Sequence, residues 1–178
     1  CSVRDAGSPD LDLDGLRGKL PLLGVCYGAQ LLANKYGGEV LPSEIREYGR
    51  ANLDDIDLHY GLLKEMTHGS QVWMSHGDTI KSLPSGFDVI ASTASVKVAA
   101  FKVQGEETYG IQFHPEVTHS LEGKNLLRNF VVHICGCAQD WTSDTFIDTT
   151  IAQLKAKIGN DNVVMGLSGG VDSSVAAT

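Results

Sequence analysis

The chain has 178 residues, 42% of them hydrophobic, and its 14 Lys and Arg against 22 Asp and Glu leave a formal net charge of -8. That length supports one hydrophobic core and a piece of another, while the acidic balance without a basic run disfavours a nucleic-acid surface, so no nucleic-acid partner is expected. No apolar stretch is long enough to span a bilayer and no charged-then-apolar leader opens the sequence, so no membrane partner is expected either.

Four cysteines, Cys1, Cys26, Cys135 and Cys137, are too few and too unevenly placed for a disulfide scaffold, which favours a reducing, cytoplasmic setting. The chain opens on Cys1 rather than Met and closes on Thr178 within an apolar helical pattern, so it is read as a fragment. Residues 20–25 form a short apolar run that ends at Gly24-Val25-Cys26-Tyr27-Gly28, and residues 29–36 have helical composition closed by Gly37 and Gly38. This is strand, tight turn, helix. The mixed charges Glu44, Arg46, Glu47 and Arg50 read as a solvated strand with cross-strand pairs. Segments 71–74, 88–92, 96–103 and 108–113 are rich in β-formers and separated by Gly, Pro, Ser and Asp, so each is expected to be a strand. Over 124–134, Leu126, Leu127, Phe130, Val131 and Ile134 recur at helical spacing and predict an amphipathic helix packed on a sheet. The result is an α/β layered domain.

The character changes after Cys137, and a domain boundary is placed near Gln139, giving domains 1–139 and 140–178. Thr142 or Ser143 can cap a helix whose buried face would hold Phe146, Ile147, Ile151, Leu154 and Ile158, with Gly159 and Asn160 ending it. An apolar strand is expected over 162–167. It leads through Ser168-Gly169-Gly170-Val171-Asp172-Ser173-Ser174 into another helix. No internal repeat or low-complexity tract is present.

A strand that turns sharply into a helix through Gly-x-Cys-x-Gly puts the cysteine at a strained apex, with glycines where side chains would clash. The helix that follows then aims its first amides at the sulfur and favours thiolate, the form that attacks a carbonyl carbon. On this turn alone, a buried and unreactive cysteine is an equally good reading. A second signal is Tyr109-Gly110-Ile111-Gln112-Phe113-His114-Pro115-Glu116, where an extended chain would set His114 and Glu116 on one face. There His114 would meet the thiol as general base while Glu116 orients the imidazole.

The strings GVCYGAQLLA and YGIQFHPEV resemble the two signature segments of the class I glutamine amidotransferases, whose fold is an open mixed sheet flanked by helices. The resemblance implies Cys26 as nucleophile, His114 as base and acid, Glu116 as its orienting carboxylate and the Tyr27 backbone N–H as half of an oxyanion hole. It further implies that Gln30 and the loop holding Ser75, Gly77 and Asp78 grip the substrate glutamine. The family's other oxyanion donor lies on a glycine-rich loop ahead of Cys1, so this polypeptide alone is expected to be weak or inactive.

Ser168, Gly169, Gly170, Val171, Asp172, Ser173 and Ser174 sit where successive backbone N–H groups at a helix start can hold an anion. The lysine and spacing of a Walker loop are missing, and the string SGGVDSS instead resembles the pyrophosphate-binding loop of the ATP pyrophosphatases. That likeness implies ATP as a ligand and Asp172 as a magnesium contact. An amidotransferase followed by this loop resembles the GMP synthetase family over essentially the whole chain. The implied substrates are glutamine, ATP and xanthosine monophosphate, and the implied assembly is a homodimer. The alternatives are another class I amidotransferase, a regulatory protein that keeps the fold without catalysis, or a protein in which only the nucleotide loop works. His133, Cys135 and Cys137 are read as helix-end packing rather than a metal site, and His59, His68, His76 and His119 as surface or pocket residues.

Overall fold

A computed structural model describes residues 2–177 of the chain, apart from the side chains of 44–47. Glu44, Arg46 and Glu47 of the charged string therefore lie outside the described side chains, while Arg50 is exposed. The residues gather into two compact units, Cys1–Cys137 and Ala138–Thr178.

In the first unit, β1 (Leu22–Val25) turns through Cys26 into α1 (Tyr27–Lys35), followed by the long β2 (Glu39–Ile56), a 3-10 turn (Gly61–Leu63), β3 (Gln71–Ser82), β4 (Phe87–Thr93), β5 (Ala100–Val103) and β6 (Thr108–Ile111). These strands form a six-stranded sheet in the order β1-β6-β5-β4-β2-β3. Only β1 and β6 run parallel, in the register Val25 to Ile111, and the remaining pairs are antiparallel. The architecture is the expected open mixed sheet with helices on its faces. The first unit closes with α2 (Gly123–Arg128), which widens into a π-helical stretch (Asn129–Ile134).

Alternation along the strands sorts apolar residues to two cores. Tyr109, Ile111 and Phe113 face one, with Leu53, Met74, Ile90 and Leu126, and Phe130 and Ile134 of the π stretch pack at its margin. Phe101 and Val103 face the other, where Ala29, Leu32 and Ala33 of α1 lie across the sheet. Here the sheet must be thin. Phe101 pairs with Gly110, and Gly110 with Gly24. A methyl group on Gly110 would come within 2.2 Å of the Phe101 ring. One on Gly24 would stand 2.7 Å from the Gly28 backbone and 2.8 Å from Leu32 Cδ1. The Gly-x-Cys-x-Gly pattern thus asks for glycine at only one of its ends, because a Cβ on Gly28 meets nothing within 4 Å.

Several expected elements come out differently. Segment 96–103 is extended only over Ala100–Val103, although Val96, Val98 and Ala99 are still buried. Ser75, Gly77 and Asp78 belong to β3 rather than to a loop, since that strand runs on as far as Ser82. Its pairing with β2 breaks there: Pro42 faces Asp78 and Glu47 faces His76, so the chain between Pro42 and Glu47 bulges opposite Gly77.

The second unit holds α3 (Ser143–Ile158) and α4 (Val171–Ala177). Thr142 caps α3 through a reciprocal bond pair with Thr145, and Gly159 closes it at φ 57°. The face expected to be buried is exposed: Phe146, Ile147, Ile151 and Leu154 are open to solvent, and Ile158 is only half-buried. The strand expected over 162–167 is not formed, and Val164 is 97% exposed. Both corrections have one cause. An amphipathic face needs an apolar surface to cover it, and a strand needs a neighbour for its N–H and C=O groups; the described residues of this unit supply neither.

Replacing Gly24 by Ala is expected to destabilise the protein by about 1–3 kcal/mol, because α1 would have to lift off the sheet. Gly28→Ala, with open space and a helical backbone, is expected to be neutral or slightly stabilising. Denaturant unfolding of both variants checks this, and equal losses would contradict the steric assignment.

Candidate active site

The parallel pairing of β1 and β6 sets the ends of these strands side by side. Past Val25 the Cys26 N–H donates to the Ile111 carbonyl at 2.8 Å, so Cys26 is tied to the strand end that Gln112, Phe113 and His114 follow. The turn into α1 costs strain: Cys26 has φ 50° and ψ -100°, a conformation rarely adopted by a residue with a side chain. That strain is held by packing on both sides, Val25 against the first core and Ala29 of α1 buried in the second.

Cys26 is half-buried in a cleft of about 670 Å³ whose walls include Tyr27, Gln30, Ser75, His76, Gly77 and Asp78. The thiol donates toward the Ser75 carbonyl at 3.8 Å and accepts from Gln112 Nε2 at 3.9 Å. The Tyr27 backbone N–H also reaches the sulfur. Burial works against the expected thiolate. Burial pushes the Cys26 thiol up, the negative charge of Glu116 adds to it, and the N–H groups of Tyr27 and Gln112 offset only part of the rise. Loss of solvent outweighs the two N–H donors.

His114 follows the end of β6 instead of standing on it, and Pro115 and Glu116 form a turn. The imidazole and carboxylate meet nonetheless, His114 Nδ1 to Glu116 Oε1 at 2.7 Å, because the turn folds Glu116 back rather than because a strand shares its face. This bond leaves Nε2 as the ring nitrogen directed elsewhere. The His114 N–H donates to the Trp73 carbonyl at 2.9 Å, and Ser120 Oγ donates to the His114 carbonyl while accepting from the Trp73 N–H. Residues 114–120 are thereby fastened along β3, and Glu116 lies close enough for its charge to act on Cys26.

Gln30 is buried, and its Nε2 donates to the Asp78 carbonyl oxygen at 2.9 Å and to Gln112 Oε1 at 3.3 Å. Arg4 Nη2 binds Asp78 Oδ1 at 2.9 Å. Burial pushes the Asp78 carboxyl up, but hydrogen bonds from Ser2 and Arg4 outweigh it and hold the group below the usual carboxylate range. A negative charge therefore stands on the cleft wall at neutral pH. Neither Gln112 nor Arg4 stands out in the sequence as a site residue. Gln112 carries a signal all the same, being the one polar side chain between the apolar residues Ile111 and Phe113.

Ser168, Gly169, Gly170, Val171, Asp172 and Ser174 are exposed and Ser173 half-buried in the second unit. Gly169 takes φ 79°, and the hydroxyls of Ser173 and Ser174 donate to the Gly170 carbonyl around the start of α4. Asp172 lies in the first turn of that helix. Among the described residues no group of three or more His, Cys, Asp and Glu side chains could hold a metal ion. His119 stacks on Trp73, His59 bonds Asp57, and Cys135 and Cys137 are free thiols. Among the described residues no helix is long and apolar enough to cross a membrane.

The family model described as glutamine amidotransferase class-I matches residues 6–134. A glutamine-hydrolysing GMP synthase of Cytophaga hutchinsonii is 68% identical over 177 residues, covering 99% of this chain and 35% of its own. The one from Phocaeicola vulgatus is 56% identical, with 99% and 34% covered. This chain thus spans about a third of the length of these curated relatives. Among solved structures, a Thermoplasma acidophilum protein described as part of a GMP synthase superposes with TM-score 0.62 at 32% identity, over 72% of this chain and 61% of that one.

With its thiol raised by burial, Cys26 is expected to react with iodoacetamide at a rate that climbs through a midpoint above the ordinary thiol value of about 8.5. Mass-spectrometric labelling across roughly pH 6–10 reads the midpoint, and a value well below about 8 would contradict the dominance of burial.

Proposed function

The chain belongs to the class I glutamine amidotransferase family, and on that premise we propose that it is the glutaminase portion, with the start of the synthetase portion, of an enzyme that makes GMP. The observation that carries the glutaminase reading is the strained Cys26 in a cleft walled by Gln30, Ser75 and Asp78, with Glu116, which holds the Nδ1 of His114, near enough for its charge to act on the sulfur.

Glutamine enters the cleft with its ammonium end toward Asp78 and its amide end toward Cys26, with Gln30, Ser75 and Gly77 lining its path. His114 Nε2 takes the thiol proton as Sγ attacks the amide carbon, and Glu116 supports the imidazolium from the Nδ1 side. The Tyr27 N–H stabilises the oxyanion. The carbon–nitrogen bond then breaks, His114 returns its proton to the departing ammonia, and a thioester to Cys26 remains. Water attacks that thioester with His114 again as base, releasing glutamate and restoring the thiol. Raising the resting thiol has a use in this scheme. A thiol that is not ionised in advance gives up its proton as it attacks.

The second activity rests on the relatives' names and on the Ser168–Ser174 loop. Gly169 in the left-handed conformation and the exposed Ser168 and Ser174 hydroxyls suit a polyphosphate, whereas Asp172 lacks companions for a complete magnesium shell among the described residues. When bound, ATP supplies the group that activates xanthosine monophosphate, which ammonia converts to GMP with release of AMP and pyrophosphate. Purine nucleotide biosynthesis, a cytoplasmic setting and a homodimer belong to the same reading.

Full-length protein treated with a glutamine-like chloroketone is expected to carry one adduct, on Cys26; absence of label there would overturn the glutaminase reading. Cys26→Ala is expected to lower glutamine-supported GMP formation by roughly a thousandfold or more while ammonia still supports it. If ATP, xanthosine monophosphate and ammonia yield neither AMP nor GMP, the synthetase reading fails.

A further inference from the structure

Gln112 is fully buried, at 0% exposure, between two elements that the glutaminase reading uses. Its backbone N–H donates to the Ala99 carbonyl at 2.8 Å, which fixes where the side chain starts. The side chain then spans from the sulfur to the cleft wall: Nε2 lies 3.9 Å from Cys26 Sγ and Oε1 3.3 Å from Gln30 Nε2.

The direction of this relay is fixed by chemistry. The Asp78 carbonyl oxygen can only accept, so the Gln30 atom 2.9 Å from it must be the N–H-bearing nitrogen. The same nitrogen faces Gln112, whose nearer atom must then be its oxygen. That leaves the Gln112 N–H₂ group, and not its oxygen, aimed at Cys26. A backbone carbonyl that cannot rotate thus decides, through two amides, that a donor meets the sulfur.

A donor is what the sulfur lacks when it loses its proton. The neutral thiol can point its hydrogen at the Ser75 carbonyl, but a thiolate faces that oxygen with nothing to share. The Tyr27 N–H and the Gln112 amide are the groups positioned to receive the charge. Resting on the assignment of Cys26 as the nucleophile, we propose that Gln112 is a positioning residue of the glutaminase reaction, its buried amide donating to the sulfur as the proton leaves and tying it to the Gln30 wall of the glutamine cleft. The bond is long in the resting state, as befits a neutral thiol, and it shortens as charge develops.

The test is the pH profile of Cys26 carboxamidomethylation in the full-length protein, followed by mass spectrometry in wild type and in Gln112→Met, which keeps the volume but removes the donor. The midpoint is expected to move up by about one pH unit, with labelling at about pH 7 slowed about tenfold. Glutaminase kcat is expected to fall at least as far, with KM changing less. The other titratable groups near the sulfur or lining the cleft, Glu116, His76, Asp78, Tyr27 and Tyr48, and the His114 bonded to Glu116, are the same in both proteins. If the methionine variant does not fold, Gln112→Asn, which withdraws the amide from the sulfur, carries the test with a shift in the same direction. An unmoved midpoint in a folded variant overturns the proposal, because a purely structural role would alter unfolding and leave the thiol's titration alone. Failure of wild-type protein to take the chloroketone label would instead overturn the glutaminase reading beneath it.

Discussion

The close approach of α1 to β1 at Gly24 governs the rest of the site. With 2.7 Å between a would-be Gly24 methyl and the Gly28 backbone, the helix begins almost on the sheet, so the connection has room for a single residue. That residue is Cys26, and its positive φ is the geometric cost of so short a turn. The same shortness puts the Tyr27 N–H next to the sulfur and hooks the Cys26 N–H onto the end of β6. Were the helix to stand a methyl's width farther out, the strain, the donor and the hook would all relax together.

Within that frame the sulfur is pulled in opposite directions. Helix start and amide donors favour charge, burial and Glu116 oppose it, and burial prevails at rest. A carboxylate that helps its histidine is thus a mild burden on the neighbouring thiol. The two roles are compatible when the cysteine need not be ionised in advance and the imidazole accepts its proton only during attack. The Asp78 wall follows the opposite logic, its charge preserved by Ser2 and Arg4 despite partial burial.

The centre of the site is readable in the sequence because its chemistry is local. Cys26 lies in a turn whose glycine marks a close packing contact, and His114 and Glu116 are two apart, so both signals survive without knowledge of the fold. The reason for the His114–Glu116 contact is less readable, since β6 stops at Ile111 and the pairing arises from a turn. Ser75, Gly77 and Asp78 look like loop residues because Ser, Gly and Asp favour turns, yet pairing with β2 carries the strand through them and the irregularity falls on the partner instead. Gln112 and Arg4 escape notice because their meaning comes from contacts with Cys26 and Asp78, remote in sequence. In the second unit, pattern alone predicts burial for α3, and burial requires a surface that pattern cannot supply.

The parallel pairing of β1 with β6 has a consequence for how such a protein can vary. Nucleophile and base sit just past the ends of neighbouring strands, whereas the chain between them makes a long antiparallel excursion through β2, β3, β4 and β5 before returning. Its outer tips, such as the turns at Gly86 and Gly105, take no part in the thiol's surroundings. Length can be gained or lost at those tips without altering the spacing of Cys26 and His114, because that spacing is set by one parallel register. Those tips are free to be reshaped by descent while the cleft wall on β3 and the chemistry at the two strand ends stay fixed.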